Sequence, residues 1–197
     1  LVAAVQNGAD AVYVGGRLFG ARAGAANFDG PALKEAAGYC HKRGVKLYMT
    51  VNTLVRDEEM DEVYAVVREA VSAGIDAAIV QDLGVAALLR SCFPKLHLHA
   101  STQMAIATAR GAAFARAAGM TRVVPARECT LEEIRRIAQV GLEVEVFVHG
   151  ALCVCYSGQC LLSSMIGGRS GNRGRCAQPC RLPYAMGGKK RHFLSPA

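Results

Sequence analysis

Five times in the first 150 residues a helical stretch closes on a glycine and an apolar, strand-like run begins within four residues of it. Gly8 precedes Ala11–Gly15, Gly44 precedes Val45–Val51, Gly74 precedes Ala77–Gln81, Gly119 precedes Arg122–Ala126, and Gly141 precedes Glu143–Val148. Glycine suits the left-handed position that ends a helix. A sixth run, Leu96–Ala100, follows Phe93-Pro94 instead. Between the runs, apolar residues at three- and four-residue spacing mark amphipathic helices over 31–43, 58–73, 83–91, 104–118 and 130–139. Thr130 with Glu133 forms a capping box for the last of these. Regular β-then-α alternation with short connections predicts a parallel sheet with right-handed crossovers.

The expected fold class is therefore α/β, a TIM-type (β/α) barrel over residues 1–150 followed by a distinct segment, 151–197. Six strands are visible where a closed barrel has eight. The chain opens inside a helix, Leu1–Val5, and stops at Leu194-Ser-Pro-Ala197, so the expectation is an incomplete barrel lacking its first strand and its closure. A doubly wound sheet would carry a phosphate-binding glycine fingerprint leading into its first helix. The stretch Gly15-Gly16-Arg17-Leu18-Phe19-Gly20 is no such fingerprint, because helical pattern resumes only near Pro31.

Charge separates the two regions. Residues 1–145 carry equal numbers of basic and acidic side chains, whereas 146–197 hold seven basic residues and no acid, which accounts for the whole net charge of +7. Arg169, Arg173, Arg175, Arg181, Lys189, Lys190 and Arg191 form an expected contact surface for phosphate or another anion. No apolar run reaches the roughly eighteen residues that a membrane helix needs, so no membrane partner is expected. A cytoplasmic enzyme is the expected setting.

In a parallel barrel the reacting groups sit beyond the carboxyl ends of the strands. Those positions hold Asn52, Gln81, Asp82, Ser101, Gln103, Arg127, Glu128 and His149. Asp82 could equally cap the helix that follows it, and Arg127 beside Glu128 could be an internal ion pair. His97 and His99 alternate along one strand and read as packed or hydrogen-bonded side chains rather than ligands. His149 ends its strand beside a cysteine-rich module and could move a proton or hold an anion. His149, Glu128 and Asp82 are the candidate acid–base groups. Gln81, Asn52, Ser101, Gln103 and Arg127, with Arg169, Asn172, Arg173 and Arg175 from the tail, are the candidate substrate contacts.

Of eight cysteines, five fall between Cys153 and Cys180. Cys153, Cys160, Cys176 and Cys180 are separated by six, fifteen and three residues, none of them the short knuckle of a zinc finger. Thiolates drawn from irregular loops suit an iron–sulfur cluster, and zinc accepts the same four sulfurs. Arginines interleaved with glycines let backbone approach an anion while guanidinium forks surround it.

The stretches Glu145–Cys153, Tyr156–Cys160 and Gly167–Arg181, with Ala9–Gly16, Thr50–Thr53, Gln81–Gly84 and His99–Gln103 upstream, resemble the collagenase-like peptidase family U32. The resemblance implies a TIM-type barrel with a C-terminal extension. It also implies iron–sulfur enzymes that hydroxylate a base of transfer or ribosomal RNA, with prephenate as hydroxyl source in the transfer-RNA branch. Carried over, it assigns Cys153, Cys160, Cys176 and Cys180 as ligands of a 4Fe–4S cluster, with the fourth ligand drawn from further downstream in some branches. RNA is then the expected partner, beside a small carboxylate co-substrate and a paralogous partner subunit. Alternatives within the same resemblance are a collagenase-like peptidase and a hydroxylase of ubiquinone precursors. An RNA-binding module with a structural metal is a third reading. The sequence holds no HExxH motif and no Gly-x-Ser-x-Gly elbow, which counts against proteolysis.

Overall fold

Val12 and Val14 on β1 (Ala11–Gly15), Leu47, Met49 and Val51 on β2 (Lys46–Val51), and Ala78 and Val80 on β3 (Ala77–Val80) alternate along their strands and bury on one common side. Leu98 and Ala100 on β4 (His97–Ala100) and Val123 on β5 (Arg122–Val123) continue that layer, and β6 (Glu143–Val144) completes the sheet. The computed structural model describes residues 1–150, 153–185, 188 and 191–194. Lys189, Lys190 and the side chain of Arg191 from the basic tail lie outside the described residues, as do 195–197. All neighbouring strands pair in parallel, in the order β1-β2-β3-β4-β5-β6. Each strand thus sits beside its neighbour in sequence with no reversal of order, which is the wall of a (β/α) barrel and not a doubly wound sheet.

The outer layer is helical: α1 (Val2–Gln6), α2 (Gly30–His41), α3 (Met60–Ala73), α4 (Leu83–Cys92), α5 (Ala109–Ala117) and α6 (Leu131–Ala138). Leu33, Val63, Val67, Leu89 and Ile137 from these helices pack on the buried strand side to make one core. The other sheet face is the inside of the barrel wall, where Tyr48, Ala77 and Ile79 form a second, smaller cluster. No helix among the described residues is long and apolar enough to cross a membrane.

Two expected elements are shorter than their patterns. The helix expected over 104–118 begins only at Ala109, because residues 102–104 form a single 3-10 turn ended by Ala105 in the left-handed region (φ 55°). Thr108 then caps the helix by accepting from the Gly111 amide. The strand expected over 122–126 pairs for two residues, since Pro125 offers no N–H to the ladder. β6 has only this short neighbour and is curtailed with it. Beyond the sheet, α7 (Leu162–Gly167) and an antiparallel pair, β7 (Pro183–Ala185) with β8 (Arg191–Phe193), belong to the cysteine and arginine region.

Candidate active site

The polar strand ends are stitched into a mouth. The Asn52 side chain accepts a hydrogen bond from the Ala21 amide (2.9 Å) and donates to Ser101 Oγ (3.4 Å), which in turn accepts from the Gln103 amide (3.1 Å). One amide therefore joins the loops after β1, β2 and β4. Asn52, Ser101, Gln103, Arg127 and His149 line a common cavity of about 600 Å³, with Arg22 on its rim. Below them the inner wall carries Arg122, which grips Glu143 (2.6 Å) and Glu145 (2.8 Å) and lies over the Tyr48 ring. His99 packs edge-on against Tyr48 at 4.7 Å and is a packed residue, as the alternation of the two histidines predicts. Burial, then the Arg122 charge, pushes His99 down to about 4.

Asp82 and Glu128 are committed to the fold. Asp82 caps α4, accepting from the amides of Gly84 (2.8 Å) and Val85 (3.1 Å), and from Val55 (3.5 Å). Glu128 holds Ser157, which donates to it from both its amide (3.0 Å) and its hydroxyl (3.0 Å), while Arg127 donates to the same hydroxyl (3.1 Å). Partial burial raises the Glu128 carboxyl, but these hydrogen bonds and the adjacent Arg127 outweigh it and leave a net lowering. A carboxylate so held is ionised and ties the cysteine segment to the loop after β5. Of the three acid–base candidates, His149 is the one that lines the cavity.

The cysteine and arginine segment folds back over the mouth. Leu54 in the loop after β2 donates to the Asn172 carbonyl (3.0 Å), and Ala23 in the loop after β1 donates to the Gly174 carbonyl (3.1 Å). Between them Arg173 clamps Glu59 with both guanidinium nitrogens (2.6 and 2.5 Å) and donates to the Leu54 carbonyl (2.9 Å). The Glu59 carboxyl falls to about 2, chiefly through Arg173 and then the Arg56 amide. Approach is closest at two glycines in the left-handed region. A Cβ on Gly174 (φ 72°) would lie 2.2 Å from the Gly20 carbonyl oxygen, and one on Gly158 (φ 70°) would lie 2.1 Å from that of Gln103. Arg173, expected to face an anionic ligand, is thus a strut. Arg169 donates from Nε to the Arg175 carbonyl (3.1 Å), and Arg175 is exposed. Neither Glu59 nor Ser157 stands out in the sequence; the only signal is that an acidic run, Asp57-Glu58-Glu59, faces a tail without acids.

This strut delivers the cysteines. Cys176 follows two residues after Gly174, its Sγ accepting from the Gln178 amide (3.3 Å), and the Ala177 amide donates to buried Ser163 on α7 (2.9 Å). Burial raises the Cys180 thiol, and the nearby Cys153, Cys176 and Cys160 raise it further against the opposing charge of Arg181. Cys180 therefore lies within electrostatic reach of Cys153, Cys160 and Cys176. Cys155, left out of the set by resemblance, is raised by burial and then by Cys160 and Cys153, so a fifth thiol shares this neighbourhood. Among the described residues, no three His, Cys, Asp or Glu side chains close on a single ion-sized point. Five thiols on one irregular segment are a donor set whose chemistry suits a thiophilic metal group.

The model of Peptidase family U32 matches residues 1–197. The chain belongs to peptidase family U32. It is 45% identical over 187 residues to the 23S rRNA 5-hydroxycytidine C2501 synthase of Escherichia coli (strain K12), an alignment covering 93% of this chain and 28% of that protein. It is 37% identical over 184 residues to tRNA hydroxylation protein P1 of Bacillus subtilis (strain 168), covering 93% of this chain and 44% of the relative. The chain thus spans less than half the length of these U32 relatives. Among solved structures, the U32 peptidase Mk0906 superposes with a TM-score of 0.57 at 15% identity, over 70% of this chain and 59% of that one, which supports the barrel fold.

Proposed function

We propose that this U32 chain forms the catalytic mouth of an iron–sulfur enzyme that hydroxylates an RNA base. The observation that carries the reading is the cysteine segment itself, strapped by Arg173–Glu59 and Ser157–Glu128 to the loops at the strand ends, where a cavity of about 600 Å³ opens. Two relatives named for ribosomal and transfer RNA hydroxylation support the substrate class. Cys153, Cys160, Cys176 and Cys180 would hold the cluster, with Cys155 beside them. A bound cluster supplies one-electron chemistry at the mouth. A single zinc accepts the same four sulfurs and is the alternative occupant, told apart from a cluster by the iron content of the protein.

The chain's own side chains then bind and orient. Asn52 and Gln103 present side-chain amides suited to a base edge, with Ser101 holding Asn52 in place. Arg22 and the part of Arg127 not engaged with Ser157 give the cavity a cationic wall for a small carboxylate co-substrate such as prephenate. His149, on the same cavity, can hold or move a proton. A cytoplasmic setting goes with this reading. Proteolysis is the weaker reading: Ser157, the one described hydroxyl held between a carboxylate and an arginine, is completely buried and out of reach of a peptide.

The test is anaerobic purification of the full-length protein with absorbance and iron quantitation, alongside mass spectrometry of RNA nucleosides from a deletion strain. About four irons per chain, lost in Cys176→Ser, and one missing hydroxylated nucleoside are expected. An iron-free, zinc-loaded protein would overturn the cluster. An unchanged nucleoside profile would overturn the RNA reaction.

A further inference from the structure

The helical layer opens between α4 and α5. α2 packs on α3, α3 on α4 and α5 on α6, but between α4 and α5 lies a cleft of about 780 Å³, left where α5 starts late after the Ala105 turn. It is separate from the cavity inside the barrel wall and shares Gln103 with it, so both open on the same mouth. Met104, Ile106 and Met120 give the cleft apolar walls, and Gln159 and Asn172 of the cysteine segment stand at its edge.

Two side chains in this cleft could meet a ligand. Gln81 is 7% exposed, yet its Oε1 is buried without a hydrogen-bond partner among the described residues. A buried acceptor left unpaired is costly and calls for a donor. Phe114 on α5 lines the cleft while 61% of it faces solvent, so one aromatic face is free to stack. A cationic donor finds no free carboxylate here, because Asp82 is committed to the amides of Gly84, Val85 and Val55. What fits is a flat, neutral ring bearing an N–H donor.

We propose that the α4–α5 cleft is a second nucleobase site, which takes a base with an exocyclic amine, cytosine, adenine or guanine rather than uracil, from a nucleotide near the one in the barrel cavity. Gln81 Oε1 accepts from the amine, and Phe114 supplies the stacking surface. Uracil has no exocyclic amine, and its N3–H is flanked by two carbonyl oxygens that would crowd Gln81 Oε1. The inference rests on the RNA reading above and adds a sequence preference to it.

The experiment measures binding of hexacytidylate and hexauridylate to the full-length protein, as wild type, Gln81→Met and Phe114→Ala. The wild type is expected to bind the cytidine oligomer about fivefold more tightly, since a site built to hydrogen-bond one group discriminates against its absence. Gln81→Met should erase that preference. Phe114→Ala, a change at an exposed position that leaves the core intact, should weaken both oligomers about tenfold. A preference that survives Gln81→Met, or affinities unmoved by Phe114→Ala, would overturn the cleft site while leaving the RNA reading in place. A wild type that binds neither oligomer would overturn the RNA reading, and this inference with it.

Discussion

Glu59 and Arg173 lie 114 residues apart in the chain, and their clamp makes the candidate site sensitive to acid in a definite way. The Glu59 carboxyl drops from 4.5 to about 2 on folding, because Arg173 and the Arg56 amide favour its charged form. A carboxylate depressed by folding contributes stability that is complete above its unfolded value and lost as pH falls through the folded one. Wild type and Glu59→Gln should therefore differ in urea stability above pH 4.5 and converge as pH approaches 2. A gap that stayed constant down to that pH would remove the clamp from the acid response. His99 behaves in a related way. It stays neutral in the fold down to about 4, whereas the unfolded chain protonates near 6.5, so its contribution erodes between those values as pH falls. Its imidazole Cε1 proton resonance should stay flat from pH 7 to about 5; a midpoint near 6.5 would contradict its burial against Tyr48.

Glycines within the elements separate conformational need from mere presence. Gly158 is left-handed and presses on the Gln103 carbonyl, so Gly158→Ala should cost about 1–3 kcal/mol through backbone strain alone. It should also lift the cysteine segment from the loop after β4, read as faster labelling of Cys160 and Cys176. Gly38 sits mid-helix in α2, and an added Cβ there meets nothing within 4 Å, so Gly38→Ala should stabilise by roughly 0.5–1 kcal/mol. Thermal melting of both variants checks the opposite signs. The same distinction explains what the sequence could disclose. Strands and helices announce themselves because their periodicity is local, and so did the Thr130–Glu133 box. Of the strand-end candidates, Asn52, Ser101, Gln103, Arg127 and His149 line one cavity because barrel geometry gathers strand ends, whereas Gln81 and Asp82 line the α4–α5 cleft and Glu128 lines neither. Pairings across the fold left no local trace: nothing in the order of residues joins Arg173 to Glu59, or Ser157 to Glu128. Arg173 looked like a ligand contact because a run of arginines among glycines reads the same whether it faces an anion or a neighbouring carboxylate.

At the scale of the molecule the charge asymmetry acquires a more exact meaning. All of the +7 resides after residue 145, but the structure divides that charge between fold and surface. Arg173 is neutralised by Glu59, and Arg169 gives Nε to a backbone carbonyl, whereas Arg175 and Arg181 are exposed beside the cysteines. If the tail holds RNA through phosphates, counterion release makes log Kobs fall with log salt by about 0.7 for each contact to a single strand. Arg175→Gln with Arg181→Gln should then flatten the slope for a single-stranded oligomer by about 1.4. Both residues lie at the surface, so the doubly substituted protein should keep its melting temperature. Arg173→Gln should do the reverse, lowering stability while leaving the slope nearly unchanged, because its charge is already spent on Glu59. A double variant with an unaltered slope would mean that these two arginines do not meet phosphate, and that the acid-free tail serves the cysteines alone.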